Sequence, residues 1–84
     1  MKTIILDKSK EIYSSDHVKC VTLPSESGEI CVYPDHMNII TLMSAGIIRV
    51  TYIENGIDKN YEVEVSEGIF SFKKNEAVFL VSVK

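Results

Sequence analysis

The chain has 84 residues, of which 45% are hydrophobic and 25% are charged, as in one ordinary globular domain. Nine basic residues stand against twelve acidic ones, the formal net charge is −3, and no basic run is present, so the composition argues against nucleic-acid binding. No stretch approaches the roughly 20 apolar residues of a membrane span, and Asp7 ends the first apolar run too early for a signal peptide.

Cysteine and histidine occur twice each, as Cys20, Cys31, His17 and His36. These four residues are scattered over separate predicted strands, so we expect no metal site and no cofactor. Two cysteines without a Cys-x-x-Cys spacing favour a reducing cytosolic compartment. A Cys20–Cys31 disulfide is geometrically possible, but nothing in the sequence requires it.

Helix signals are nearly absent, and short β-branched runs alternate with turn residues. In chain order, the runs predict strands at 2–6, 10–13, 18–23, 29–33, 39–43, 47–53, 59–66, 69–72 and 77–83. Their close spacing is typical of an all-β fold, a sandwich or a flattened barrel. No linker, repeat or low-complexity segment divides the chain, so we expect residues 1–84 to form a single domain.

Asn55-Gly56 predicts a hairpin, because a type I′ turn needs positive φ at both central residues. With these two residues at the tip, apolar residues face each other on one side of the hairpin and opposite charges on the other. A slip of one residue would destroy every match. The predicted pairs are Val50 with Tyr61, Ile48 with Val63, and Arg49 with Glu62.

The last predicted strand, 77–83, is apolar on both faces, whereas a strand with one solvated face alternates. Two explanations stay open at this point. Either the strand is covered on both sides within the domain, or its second face meets another protein.

Catalytic signals are weak. Cys31 and His36 are near each other in sequence, but a nucleophile pair also needs a third, orienting group and a pocket. Cys31 lies in the middle of a β-branched run, where a small buried side chain is the usual occupant. The segment Ser25-Glu26-Ser27-Gly28 has too few glycines to cradle a phosphate. We therefore expect a protein that is not an enzyme by itself.

The stretch from residue 21 to residue 46 carries the most specific pattern. It reads Val21-Thr22-Leu23-Pro24, Ser27-Gly28-Glu29, Val32-Tyr33-Pro34-Asp35-His36, Thr41-Leu42 and Gly46. This order and spacing resemble the V-T-L-P-G…G-E-x-G-V-x-P-G-H-x-x-x-x-T…G run in the N-terminal domain of the ATP synthase epsilon subunit, called delta in mitochondria. The resemblance continues through Ser66-Glu67-Gly68-Ile69 and the closing strand, so it spans essentially the whole chain.

The chain also departs from that pattern. Ser25 and Asp35 replace usual glycines, Ile30-Cys31 replaces Leu/Phe-Gly, and Met37-Asn38 replaces Ala-Pro. Family members commonly continue with a C-terminal helical hairpin that restrains ATP hydrolysis. This chain stops at Lys84, so we expect no hairpin-based inhibition from this polypeptide.

The resemblance implies a flattened antiparallel β-sandwich of about ten strands at the foot of a rotor. It implies a non-catalytic central-stalk subunit that docks gamma onto the c-ring and couples proton flow to ATP synthesis. Such a subunit would lie at the cytoplasmic face of the bacterial inner membrane and contact the membrane only through the complex.

The family pattern places Glu29, Tyr33 and His36 in the segments that face the polar loops of the c-ring. Glu29 is either an acidic partner for basic ring loops or a solvated turn residue. His36 either donates across that interface or holds its own turn. We expect the surface that binds gamma to be apolar. The candidates are Phe79 and Val81 or their neighbours Val78 and Leu80, because the sequence does not reveal whether the odd or the even residues of this strand face the core.

Two alternatives remain at the level of the sequence. The first is a free-standing β-sandwich adaptor that binds other proteins and is unrelated to the synthase. The second is a small hydrolase that uses Cys31 and His36.

Overall fold

The computed structural model describes all residues, Met1–Lys84, and contains eight β-strands and no helix. With no helix present, none is long and apolar enough to cross a membrane. The all-β prediction is confirmed. The nine strands listed from the sequence become eight, because those predicted at 59–66 and 69–72 are one continuous strand, and eight is also fewer than the about ten that the resemblance implies. The strands are β1 (Lys2–Asp7), β2 (Lys10–Ser15), β3 (Val18–Ser25), β4 (Gly28–Val32), β5 (Ile39–Met43), β6 (Gly46–Glu54), β7 (Ile57–Lys73) and β8 (Glu76–Val83).

Strand β7 belongs to both layers of the sandwich. Its first part, residues 57–65, pairs with β6, and β6 continues through β3 to β4. Its second part, residues 65–73, pairs with β8 on one side and, from Gly68, with β5 on the other. β8 continues through β1 to β2. One layer therefore reads β4-β3-β6-β7 and the other reads β5-β7-β8-β1-β2.

A bulge in β7 joins the two layers. The register against β8 shifts between Val65 and Glu67, which inserts an extra residue into β7. Val65 points into the core before the bulge, and Phe70 and Phe72 point into it afterwards, so the inward positions change from odd to even. The bulge thus lets one strand present apolar side chains to the same core from both layers.

The predicted β6–β7 hairpin is confirmed residue for residue. Val50 pairs with Tyr61, Ile48 with Val63, and Arg49 with Glu62. Asn55 and Gly56 at the tip have φ of 53° and 75°, the positive values that a type I′ turn requires.

The sandwich is not purely antiparallel. β1 runs parallel to β8, with Ile5 beside Phe79, and this pair lies inside its layer between β2 and β7. Parallel strands are joined by a long connection rather than a tight turn. The first strand, β1, can therefore pair with the last, β8, in one sheet.

The inward face of β8 is now defined. Ala77 and Phe79 are fully buried and Val81 is 6% exposed, whereas Leu80 is 50% exposed on the outer face beside Val78. Phe79 and Val81 pack in the domain's own core, so the structure removes them from the candidate gamma surface. Val78 and Leu80 remain candidates, and no other part of the chain covers their face.

Candidate docking surfaces

The first candidate surface follows strand β4, which is the last strand of its layer. Glu29, Cys31 and Tyr33 alternate along this segment and are all exposed, whereas Val32 is fully buried. Together with His36 in the following turn, these three residues are called the edge surface. The interpretation of Cys31 as a buried core residue was wrong, because its position in the pleat faces outward.

The residues of the edge surface are spread out rather than clustered. Glu29 lies beside the β3–β4 turn, which the Ser25 hydroxyl closes by donating to the Gly28 carbonyl oxygen at 2.7 Å. Tyr33 lies beyond the other end of β4, about 13 Å away along the strand at ~3.3 Å per residue. The edge surface is therefore a strip, suited to a partner that lies along the strand.

His36 holds its own turn. Its backbone N–H donates to the Tyr33 carbonyl oxygen at 3.2 Å, and its ring Nδ1 is 2.7 Å from the Met37 carbonyl oxygen. Because a carbonyl oxygen can only accept, Nδ1 carries the proton and Nε2 is left for another partner. The ring packs at 89° to the ring of Phe72, with centroids 6.0 Å apart. The local role considered for His36 is thus present, and one ring nitrogen remains available.

Neighbouring side chains on this side of the domain shift the pKa values of Arg49 and Tyr33. Arg49 is paired with Glu62, and this pairing raises the pKa of the Arg49 guanidinium, with Glu29 as a further contributor. The pKa of the Tyr33 phenol is raised, chiefly by the side chain of Cys31 beside it. Tyr33 therefore keeps its hydroxyl proton at neutral pH and can donate a hydrogen bond to a partner.

The second candidate surface is apolar and lies on the outside of the other layer. The registers place Leu42 beside Ile69, Ile69 beside Leu80, and Leu80 beside Leu6, which makes one apolar row across four strands. Leu42 is 65% exposed, Ile69 42% and Leu80 50%. A row of this kind has no cover within the domain.

A second row lies next to the first. It runs from Ile40, which is 78% exposed, through Ser71 and Val78 to Ile4. The outward apolar side chains of the two rows are called the apolar face, and they are Ile4, Leu6, Ile40, Leu42, Ile69, Val78 and Leu80. Monomeric proteins rarely expose a contiguous apolar patch of this kind unless it binds something.

Sequence reasoning found only the β8 part of this face. The other strands carry the same signal as β8, namely apolar residues at adjacent positions, which face opposite sides of a strand. These residues are Ile4-Ile5-Leu6 and Ile39-Ile40. What the sequence lacked was the register that brings these strands side by side.

Cys31 and His36 are not joined as a catalytic pair. The Cys31 sulfur receives a long contact from the Thr22 hydroxyl at 3.9 Å, and the His36 ring is bound to the Met37 carbonyl. Both cysteines are free thiols. No group of three or more His, Cys, Asp or Glu side chains is placed to hold a metal ion.

Comparison with known proteins identifies one family. The model of the ATP synthase delta/epsilon chain β-sandwich domain matches residues 1–83. An ATP synthase epsilon chain of Pelagibacter ubique is 36% identical over 81 residues, which cover 96% of this chain and 59% of that protein. The epsilon chain of a Neisseria meningitidis serogroup A strain is 29% identical over 83 residues, covering 99% of this chain and 57% of that protein. The chain thus spans less than two thirds of the length of these relatives.

Solved structures share the fold. A chain in the central stalk and c-ring of the Tetrahymena thermophila mitochondrial ATP synthase matches with a TM-score of 0.82 and 11% identity, over 98% of this chain and 63% of that one. A chain in the OSCP/F1/c-ring assembly of the Euglena gracilis mitochondrial ATP synthase matches with a TM-score of 0.81 and 19% identity, over 94% of this chain and 48% of that one.

Proposed function

The chain belongs to the ATP synthase delta/epsilon family through its β-sandwich domain, and from this premise we propose that it is a non-catalytic subunit of the central stalk. In this role, residues 1–84 act as one rigid domain that docks gamma onto the c-ring and thereby couples proton flow to ATP synthesis elsewhere in the complex. The domain is held at the cytoplasmic face of a bacterial inner membrane through the complex.

The observation that carries this proposal is the exposed apolar face. Seven aliphatic side chains share one outer surface, and burying a single leucine or isoleucine fully contributes roughly 1.5–3 kcal/mol. We assign this face to gamma, because a permanent subunit contact is more apolar than a transient one. Val78 and Leu80, the outward half of the sequence-based candidates, lie within it.

The edge surface is assigned to the polar loops of the c-ring. It is polar, exposed and on the layer that does not carry the apolar face, so one domain can contact two partners at once. Glu29 supplies a carboxylate to basic ring loops, Tyr33 a hydroxyl, and His36 its Nε2. A polar contact of this kind sets register and encounter rate more than affinity.

Transmission of torque requires a stiff body between the two surfaces. β7 supplies a covalent and hydrogen-bonded connection, because its 17 residues run through both layers without a break. Three phenylalanines fill the space between the layers, and each is at most 1% exposed: Phe70, Phe72 and Phe79. A close-packed interior of this kind transmits strain rather than yielding to it.

Co-purification with gamma tests the proposal. The chain is mixed with the gamma subunit of the same organism, and the mixture is separated by size-exclusion chromatography and then passed over immobilised c-rings. We expect a stable one-to-one complex that is retained by the rings more strongly than gamma alone. If the chain neither binds gamma nor increases retention on the rings, it is a free-standing adaptor and the proposal fails.

A further inference from the structure

The apolar face has a charged rim at one end. A shallow groove over β7 and β8 has an apolar floor formed by Leu6, Leu42, Ile69 and Leu80. Glu26, at the tip of the β3–β4 turn, and Glu67, at the β7 bulge, line the same groove, and both are exposed. Lys8 of the β1–β2 turn also lies there. These three residues are called the rim, and it carries two negative charges and one positive charge.

The two rim carboxylates have no partner within the chain, as is also true of Glu11, Asp16 and Glu29, but only Glu26 and Glu67 line the groove. Five carboxylates form ion pairs within the chain, namely Glu54, Asp58, Glu62, Glu64 and Glu76. Asp7 accepts a hydrogen bond from the Val83 backbone, and Asp35 accepts one from Asn75. Glu26 and Glu67 make neither kind of contact. Two unpaired charges that converge from distant segments beside an apolar floor are therefore available to a partner.

We infer that the groove takes a segment of gamma whose apolar side chains are flanked by two basic side chains, lysine or arginine, that meet Glu26 and Glu67. This inference rests on the proposed function, because it names the partner's chemistry at the same face. The apolar floor supplies most of the affinity. The two carboxylates speed the encounter and select the register, as rim charges do in other interfaces.

Charge argues against two other occupants of the groove. In a symmetric contact with a second copy, Lys8 would be the one basic rim residue available to meet Glu26 and Glu67, and both copies carry a net charge of −3. An anionic lipid surface attracts clusters of basic residues, whereas this groove is bordered by more acidic than basic side chains. A basic segment of another protein is the occupant that both the floor and the rim fit.

Association kinetics with gamma test the inference. Glu26→Lys, Glu67→Lys and the double variant reverse the rim charge, and Glu26→Gln and Glu67→Gln remove it. Asp16→Lys is the matched control for each single reversal, because Asp16 is exposed, unpaired and at the opposite end of β2 from the groove, and it changes the net charge by the same amount as Glu26→Lys or Glu67→Lys. The association rate constant is measured at low and at high ionic strength, with circular dichroism of every variant to confirm folding.

We expect the double reversal to slow association on the order of tenfold at low ionic strength, with a smaller effect of the glutamine variants. The difference should shrink at high ionic strength, where exposed charges are screened. The inference is overturned if Asp16→Lys slows association as much as the rim variants do, or if no rim variant slows it. In either case, gamma binding by the wild-type chain still supports the proposed function. Absence of wild-type binding, or self-association through the groove, overturns both.

Discussion

Asp35 and Asn75 hold each other by two hydrogen bonds across 40 residues of sequence. The Asp35 backbone N–H donates to Asn75 Oδ1 at 2.6 Å, and Asn75 Nδ2 donates to Asp35 Oδ1 at 2.8 Å. Both residues have positive φ, 67° and 59°. The contact fastens the turn that carries His36 to the β7–β8 turn, and it gives a reason for an aspartate where the family pattern has glycine.

This reciprocal contact should contribute measurable stability. Asn75→Gly removes the side-chain hydrogen bonds, and glycine adopts the positive φ of this position without strain. We expect the substitution to lower the free energy of unfolding by about 1 kcal/mol. The control is Asn55→Gly, since Asn55 has a similar φ and no side-chain hydrogen bond. In a domain of this size 1 kcal/mol corresponds to about 4–8 °C in Tm. Equal effects of the two variants, or strict additivity of Asn75→Gly with Asp35→Gly, would contradict the assignment.

The two faces of β8 should differ sharply in their tolerance of truncation. Phe79→Ala leaves a cavity in the core and should cost about 3–5 kcal/mol, whereas Leu80→Ala on the outer face should cost less than about 1 kcal/mol. Urea denaturation of both variants measures the difference. Comparable losses at the two positions would mean that the outer face is covered after all.

Residues of the apolar face should matter for gamma binding and not for folding. Leu42→Ser should weaken binding by roughly tenfold or more, because each factor of ten is about 1.4 kcal/mol and full burial of a leucine side chain contributes about 1.5–3 kcal/mol. Ile57→Ser is the control, since Ile57 is similarly exposed at 61% but lies at the hairpin tip, outside the apolar face. Titration calorimetry with gamma gives both affinities. A control that weakens binding as much as Leu42→Ser would place the contact elsewhere.

Glu29 should affect binding to the c-ring, but neither gamma binding nor stability. Glu29→Lys puts a positive charge on the edge surface, and we expect weaker retention of the gamma complex on c-rings with unchanged gamma affinity. The side chain is exposed, so the free energy of unfolding should change by no more than about 0.5 kcal/mol. Asp16→Lys gives the same change of net charge away from the edge surface. A loss of stability well above that range would show that Glu29 has a structural task.

Stability at high pH should depend on Tyr13. Burial raises the pKa of the Tyr13 phenol, so the folded chain loses this proton at a higher pH than the unfolded chain. The stability that this shift contributes is complete below about pH 10, the unfolded value, and is lost as pH rises through the folded pKa. Tyr13→Phe should therefore flatten the decline of the urea midpoint above about pH 10.

At neutral pH, Tyr13→Phe should leave the free energy of unfolding unchanged. The Tyr13 hydroxyl is buried without a hydrogen-bond partner, and phenylalanine keeps the ring that stacks on Tyr61 with centroids 4.5 Å apart. A marked destabilisation of Tyr13→Phe at pH 7 would reveal a partner for the hydroxyl. An unchanged slope at high pH would assign the alkaline transition to another group.

Local chemistry made the β6–β7 hairpin predictable down to its register. Asn55-Gly56 fixes the turn, and a slip of one residue would place Arg49 against Tyr61 or Val63. The exposure of Glu29 and Asp35 was also predictable, because Gly28 and Pro34 mark the ends of β4, whereas the exposure of Cys31 was not. Both results depend only on residues that are close in sequence.

Non-local pairing was not predictable from the same signals. The parity of β8 stayed open because Val78 and Leu80 are as apolar as Phe79 and Val81, so only the position of β1 and β7 decides which pair is inside. The bulge after Val65 falls at Ser66-Glu67-Gly68, whose composition is also that of a turn, and the two halves of β7 therefore read as separate strands. The apolar face depends on four strands whose order in the sheet differs from their order in the chain.

The parallel pairing of β1 with β8 has a consequence for how the protein is made. On the ribosome, residues 2–7 emerge about 70 residues before the strand that must lie beside them, residues 76–83. A nascent chain therefore carries β1 with β2 as its only sheet neighbour until translation has passed Val83. Because contacts between distant segments form late and slowly, we expect native structure to arise in one step after synthesis of β8, with a holdase shielding the unfinished sheet until then.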